Sequence, residues 1–583
     1  MVMGSSVIGA LGASPGAGTF VSVPPPTGVA ATDTANIAAA LAAVATAGGT
    51  VQLQAGNYAV SSSARVDTGV TYHSTTSGNY PANSWADASI TAADVGKYVI
   101  GGALGTNPGI QSRTPKILTV NTTFNYFTTD IQPNGTVSSA AIRVVQPGFV
   151  LPEGVTLNGC GGFTTSNGFG SGQGYVTRIS DAGSGITCLV RGNTGPNSAV
   201  WSSTYGLSNI SFWGYGYSAL YGLYVDNGAW FIHSNGCDFS YYTVAGVALD
   251  GNINSHLFEN ALFLGNGTTG ATSYTGGVIT HPFYSTSSAA ATFINCFWDG
   301  NNGAGLIDGG GAGAFGVAVL NSQFNNTSAN AASNDCQYGP SAVIGGNNNG
   351  GCLFQGNWSE SAAANTAGTS GGYDLIVYGT ATASNCTFGT GSYNSGTHQG
   401  VLNHINLGMS VYFEAATCTF TGISTGIAAV NINYSGCAFL YQNCQLNDTG
   451  GAYFYSSCGF SNANAPISGS SRPLGQLAAW TIPVTSNAGT AQGQPGWYST
   501  YNFTNSSAAT MTITLSTSNV QDGQTVVIRI YDFSGSTETI TWVNTENSGV
   551  SAATTSNGST TLPKTVTFMF NGATSKWRCI QSV

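Results

Sequence analysis

Charge is what this chain has least of. Of 583 residues only 6% are Asp, Glu, Lys or Arg, against roughly 25% in an ordinary globular protein. With 12 Lys plus Arg against 22 Asp plus Glu the net charge is −10, so neither nucleic acid nor an anionic membrane is an expected partner. The stretch MVMGSSVIGALGASPGAG (1–18) lacks the basic residues that open a secretory signal, and the expected place of assembly is a cytoplasm. No apolar run reads as a membrane span, and no membrane insertion is expected. The 12 cysteines include no CxxC pair, and no His cluster stands at ligand spacing, so no metal or other cofactor is expected. What is present is 42% hydrophobic residues and 82 glycines, with Ser, Thr and Asn supplying polarity. That is enough apolar surface to fold, and neutral hydroxyl and amide groups suit a carbohydrate partner.

One short phrase, an apolar stretch with an aromatic and Asn, Asp or Gly, returns about nine times between residues 205 and 450. Its aromatics are Phe212, Phe239, Phe263, Phe297, Phe324, Phe354, Phe388, Phe420 and Phe439, at gaps of 19 to 34 residues. A parallel β-helix leaves this irregular but persistent period, because each coil needs two or three short strands joined by corners of variable length. A second register, Gly222 to Asp226 and Gly246 to Asp250, repeats with a shift of 24 residues, and Gly305 to Asp308 gives the phrase one residue shorter. Coil upon coil, such strands stack like residues about 4.8 Å apart, which predicts ladders of Asn, Phe and Ile. Cys237, Cys352, Cys386, Cys418, Cys437 and Cys458 each stand two before Phe. They are expected at one repeated interior position as free thiols, with disulfides or zinc as the alternatives.

Residues 1–31, ending in Pro24-Pro25-Pro26, read as an extended arm. Thr32-Asp33-Thr34 is a good N-cap, and Ile37, Leu41 and Val44 predict a helix over 34–47 laid across the open end of the stack. The strand Thr50–Gln54 and a turn at Gly56-Asn57 follow. The segment TDTANIAAALAAVATAGGTVQLQAGNY (32–58) resembles the opening of the pectate-lyase-like superfamily of right-handed parallel β-helices, found in phage tailspikes, tail fibres and polysaccharide-degrading enzymes. Gln54 stands where that family usually has Pro, and Thr32 where it often has Asp. The resemblance implies fold and lineage but no active site. It also implies a homotrimer, with the N-terminal arm docking onto other phage tail proteins.

Residues 65–147 break the coil rhythm. ASITAADVGKYVIGG (88–102), ILTVNTTFNYFTT (117–129) and SAAIRVV (139–145) alternate as strands and resemble a small β insertion of phage tail proteins. Coils resume from 148 to 460, a linker follows at 461–475, and 476–583 reads as a C-terminal antiparallel β-sandwich with turns at Asp522-Gly523, Ser534-Gly535 and Asn571-Gly572. Its ending, FMFNGATSKWRCIQSV, resembles tail-fibre C-terminal modules. The fold class expected is therefore all-β: a right-handed parallel β-helix with an N-terminal capping helix, a small β insertion and a C-terminal β-sandwich.

Glycoside hydrolysis needs two carboxylates about 5–9.5 Å apart. Asp226, Asp250 and Asp308 in one register, with Glu259 and Asp299 nearby, are the candidate set. Asp before Gly at a β-helix corner usually closes a turn, which is the ordinary reading of the same aspartates, and a bound calcium ion is the remaining alternative. Aromatics crowd residues 201–242, and Trp213, Tyr215, Tyr217, Tyr221 and Trp230 are candidate sugar platforms, a subunit interface or core. Two functions fit. One is a virion tail fibre or spike that binds a host-surface glycan. The other is a tailspike depolymerase, as a glycosidase before a lyase, since Lys and Arg are nearly absent between Arg191 and Arg472 and β-elimination wants a cation.

Overall fold

The computed structural model describes residues 19–101, 114–133, 137–161, 176–192, 204–226, 229–250, 253–267, 275–280, 289–301, 304–308, 317–325, 342–344, 352–359, 372–377, 380–388, 398–403, 412–422, 430–432, 438–442, 445–448, 472–473, 480–484, 488–491, 500–505, 510–515, 517, 522–547, 550–556 and 558–583. It divides into two compact units, Met1–Val411 and Tyr412–Val583.

The first unit is a parallel β-helix. Successive coils give one strand each to three parallel sheets. In one coil Tyr205–Ser208 joins the first sheet, Ser211–Gly214 the second and Tyr221–Val225 the third. The next coil repeats this with Ile232–Asn235, Asp238–Ser240 and Ala245–Leu249, each paired in register with the strand before.

The corner between first and second sheets explains the repeated phrase. It consists of two residues, and the first takes a left-handed backbone: Asn209, Gly236, Asn260, Asn295, Asn321, Gly356 and Asn385, with φ from 48° to 66°. Gly and Asn are the residues that adopt this conformation at least strain. The second corner residue points inward, and Cys237, Cys296 and Cys386 occupy it, all buried. Cys352 does not share that position. It lies in a first-sheet strand opposite Ala381, because the αL residue sets the phase and Gly356 follows Cys352. Of the described cysteines, all free, Cys160 alone is exposed. Cys437 and Cys458 lie outside the described residues.

From the corner, the third residue turns inward. Phe212, Phe239, Phe263, Trp298 and Phe324 stack as one ladder with centroids 4.3–5.8 Å apart. Two expected members are displaced. Phe297 sits one residue early and faces outward, while Phe354 belongs to the first sheet with Phe258 and Phe293. An aromatic one position off the corner falls on the opposite face of the pleat. Each buried ring contributes about 1.5–3 kcal/mol through burial, and the stack needs space opposite it. A Cβ on Gly222 would lie 2.6 Å from the Tyr242 ring, and one on Gly277 2.7 Å from Trp298. The glycine register is thus the third sheet making room for the aromatics packed against its inner side, Tyr242 at Gly222 and Trp298 and Phe263 at Gly277.

The stack is closed at its N-terminal end. The helix runs over Ala30–Val44, starting four residues before expectation, with Ile37, Leu41 and Val44 buried. Asp33 is not the N-cap. Its carboxylate accepts from Thr27 N, Thr27 Oγ1, Gly28 N and Ala59 N at 2.8–3.1 Å, tying the turn before the helix to the first coil. The arm residues Thr19–Ser22 add a strand beside Gly49–Gln52.

Strands between Ser63 and Gln146 form a six-stranded antiparallel sheet, the expected insertion. Tyr98, Ile100 and Val145 pack on Leu189, Tyr224, Ala248, Ile279 and Ile307 of the third sheet. They cover its outer face over the strands from Ile186 to Asp308, which are thereby buried on both sides.

In the second unit, Tyr412–Ala416 pairs in parallel with Ala438–Gln442, and Thr419–Gly422 with Gln445–Asp448. Further on, two sheets share a core that includes Tyr501, Phe503, Ile513, Ile528, Phe568 and Trp577. The expected antiparallel order holds only at the end. Between Trp480 and Val543 consecutive strands alternate between the two sheets and pair in parallel. The last two, Lys564–Asn571 and Lys576–Ser582, form the hairpin read at Asn571-Gly572. Period-two alternation reports a covered face, not the direction of the neighbouring strand, so Ser534-Gly535 is a corner between sheets and not a hairpin turn.

Candidate functional site

Asp226 and Asp250 follow paired residues, Val225 and Leu249, and both are buried. Asp226 accepts from Thr114 N and Gly192 N, each at 2.7 Å. Beside it Arg191 Nε donates to Thr114 O at 2.8 Å and its guanidinium pairs with Asp130. These bonds clasp the insertion to the coils. Asp250 accepts the hydroxyl of Tyr224, a residue that lies under the insertion. Asp308 does not share their register: it pairs with Thr280, which pairs with Leu249. The phrase that is one residue shorter at Gly305 shifts it by one position in the register. Glu259 lies elsewhere, on the first sheet, with Oε2 2.7 Å from His233 Nε2.

The aromatic segment divides between two faces. Tyr221 is 1% exposed in the core beneath the insertion, where burial raises its phenol, and it presents no face to a sugar. Trp213 and Tyr215 lie on the second-sheet side. Trp213 is half-buried, with the Arg178 guanidinium 4.6 Å above its ring and Tyr241 leaning on it at 4.5 Å. Tyr215, in a short turn after the strand, is 65% exposed. Trp230 is half-buried beside Phe231. The Tyr217 side chain is outside those described.

The second sheet's outer face continues past Trp213. One outward column runs Ser211, Asp238, Leu262, Phe297, Gln323, Trp358 and Thr387, in which Trp358 is 38% exposed. Asp238 is buried and accepts from Ser211 Oγ at 2.8 Å and from Ser240 Oγ. Asp299, half-buried in the adjacent column, has its carboxyl raised by burial. Phe297, Gln323 and Trp358 were not candidates from the sequence alone. The residue directly after each two-residue corner faces outward, so fixing the phase on the αL position would have found them. Among the described residues no three His, Cys, Asp or Glu side chains are grouped to hold a metal ion, and no helix is long and apolar enough to cross a membrane.

No protein-family model and no curated protein matches the chain. Among solved structures it is similar to ORF18 of Geobacillus virus E2 at 12% identity and TM-score 0.37, covering 77% of this chain and 63% of that one. It is similar to the catalytic unit of a GH87 α-1,3-glucanase from Streptomyces thermodiastaticus at 12% and 0.36, covering 68% and 85%. A third likeness is the tailspike gp49 of Acinetobacter baumannii bacteriophage Fri1, a capsular polysaccharide depolymerase, at 11% and 0.34, covering 78% and 65%. The chain thus spans under two thirds of the two phage proteins. The β-helix assignment rests on the strand register given above.

Proposed function

We propose that the chain is a virion tail fibre or tailspike component that recognises a host-surface glycan on the outer face of the second sheet. The observation that carries this is the exposed Tyr215 beside Trp213, with the half-buried Phe297 and Gln323 and the exposed Trp358 further along the same outer face, which the insertion does not pack on. Flat aromatic faces next to neutral hydrogen-bonding groups suit pyranose rings. The resemblance of residues 32–58 to a superfamily that includes phage tailspikes and tail fibres, and of residues 568–583 to tail-fibre C-terminal modules, supports the virion setting, and three copies of the chain belong to the same reading. Titrating the purified protein with envelope polysaccharide from candidate hosts tests it. Saturable binding weakened by Tyr215→Ala is the expected result, and sedimentation should return three times the chain mass.

Cleavage is the second reading, and Asp299 is the observation favouring it. A carboxyl raised by burial is what a general acid requires. Asp226 and Asp250 are taken up by the hydrogen bonds that hold the insertion and its underlying tyrosine. Released reducing ends that disappear in Asp299→Asn, with binding retained, would make the protein a depolymerase.

A further inference from the structure

The charges of this chain are segregated along the sequence. Between Arg191 and Arg472 stand eleven of its 22 Asp and Glu residues and none of its 12 Lys and Arg. The fold keeps that segregation in space. Among the described residues of the first unit, Arg65, Lys97, Lys116 and Arg143 belong to the insertion, and Arg191 pairs with the insertion's Asp130. Lys116 and Arg191 both lie against the Tyr98 ring, 5.9 and 5.5 Å from its centroid, on the third-sheet side. Among the described residues the second sheet's outer face has one cation, Arg178, at the head of the column that continues through Ser211 and Asp238. Its guanidinium sits 4.6 Å over the Trp213 ring, so its charge faces an aromatic quadrupole. Past it, the coils from Ser211–Gly214 to Trp358–Ser359 bring to that face neutral side chains and the acids Asp238 and Asp299, and no Lys or Arg.

Resting on the reading of this face as the glycan site, we propose that its ligand is a neutral polysaccharide, with no carboxylate, phosphate or sulfate in the repeating unit. A sugar carboxylate brought down beside Phe297 or Trp358 gives up hydration and meets no ammonium or guanidinium in exchange. It also approaches coils that carry acids and no cation. A neutral sugar meets neither cost. Its hydroxyls exchange bonds to water for bonds to uncharged groups such as Gln323 and Thr387 of the same column, and its ring faces stack on Tyr215 and Trp358.

The test takes the host envelope polysaccharide that the full chain binds in a manner weakened by Tyr215→Ala, together with a form of it whose primary alcohols have been oxidised to carboxylates. The oxidised form carries added charge on the same backbone. Composition analysis of the bound polysaccharide should find no uronate, phosphate or sulfate, and its affinity should change less than about twofold between about 50 and about 500 mM salt. The oxidised form should bind at least about tenfold more weakly at the lower salt. A bound polysaccharide that is acidic, an affinity that falls as salt rises, or an oxidised form held as tightly as the original overturns the proposal while leaving the face a glycan site. A salt-sensitive affinity would assign Arg178 to an anionic sugar. If no polysaccharide binds in a Tyr215-dependent way, the glycan reading of the face is itself overturned, and the neutral ligand with it.

Discussion

The second and third sheets of the β-helix are built alike and end differently. Both draw on the aromatic segment between Trp213 and Tyr224. On the third sheet, Tyr221 and Tyr224 are 1% and 2% exposed beneath the insertion, whereas on the second sheet Tyr215 is 65% exposed. The residue types are the same, so composition cannot tell an exposed ring from a buried one. The difference comes in part from a sheet inserted earlier in the chain, which covers the third sheet's face over these coils, whereas on the second sheet Tyr215 and Trp358 are exposed although Ser211, Asp238 and Leu262 between them are buried. The inserted sheet also sorts the acids. Asp226 and Asp250 lie on the covered side with their carboxylates hydrogen-bonded, while on the second sheet's outer face Asp238 is buried and Asp299 half-buried.

The comparison can be broken where the two sheets meet inside. Gly277→Val places side-chain atoms where Trp298 and Phe263 already sit, and should cost about 3 kcal/mol or more, read as a lower midpoint in thermal or denaturant unfolding. An unchanged midpoint would mean the glycine column is not spaced for the ladder. Tyr221→Ala removes a ring buried between coil and insertion and should destabilise by about 3 kcal/mol. Glycan affinity measured below the midpoint should stay as it was, and a selective loss of affinity would return Tyr221 to the binding face.

A smaller effect is expected at Asp250. Asp250→Asn keeps the shape but weakens the bond from Tyr224, and should destabilise by about 1–2 kcal/mol without changing glycan affinity. Loss of a depolymerising activity at unchanged stability would instead make Asp250 catalytic. The smallest effect sharpens the contrast most. Tyr215→Ala and Trp358→Ala should each weaken glycan binding by about 1 kcal/mol, roughly fivefold, with the unfolding midpoint unmoved. A shift in the midpoint without a change in affinity would make the open face a packing surface.

How far the sequence could be read depended on which step of the argument a residue belonged to. The coil period was legible because each corner needs a left-handed residue, and Asn or Gly returns there as Asn209, Gly236, Asn260 and Asn295. The capping residues Ile37, Leu41 and Val44 were legible because helical spacing puts them on one face. Register was harder. Phe297 and Asp308 each miss their expected column by one residue, which no count of aromatics or aspartates reveals, and for Phe297 that reverses the face its ring points to. The parallel pairing of Trp480–Val543 was hidden for a related reason, since alternation is the same whichever way the neighbouring strand runs.

By itself, then, the sequence determined the elements that local chemistry dictates: the αL corners, the stacked aromatics with glycines opposite, and the cap over the first coil. Tertiary structure alone decided which faces remain open and which acids are engaged. Those outcomes depend on contacts across the chain, such as Thr114 donating to Asp226 over 112 residues, and on the insertion folding down onto one sheet of three. Burial is a property of the whole packed surface, and no window of sequence contains it.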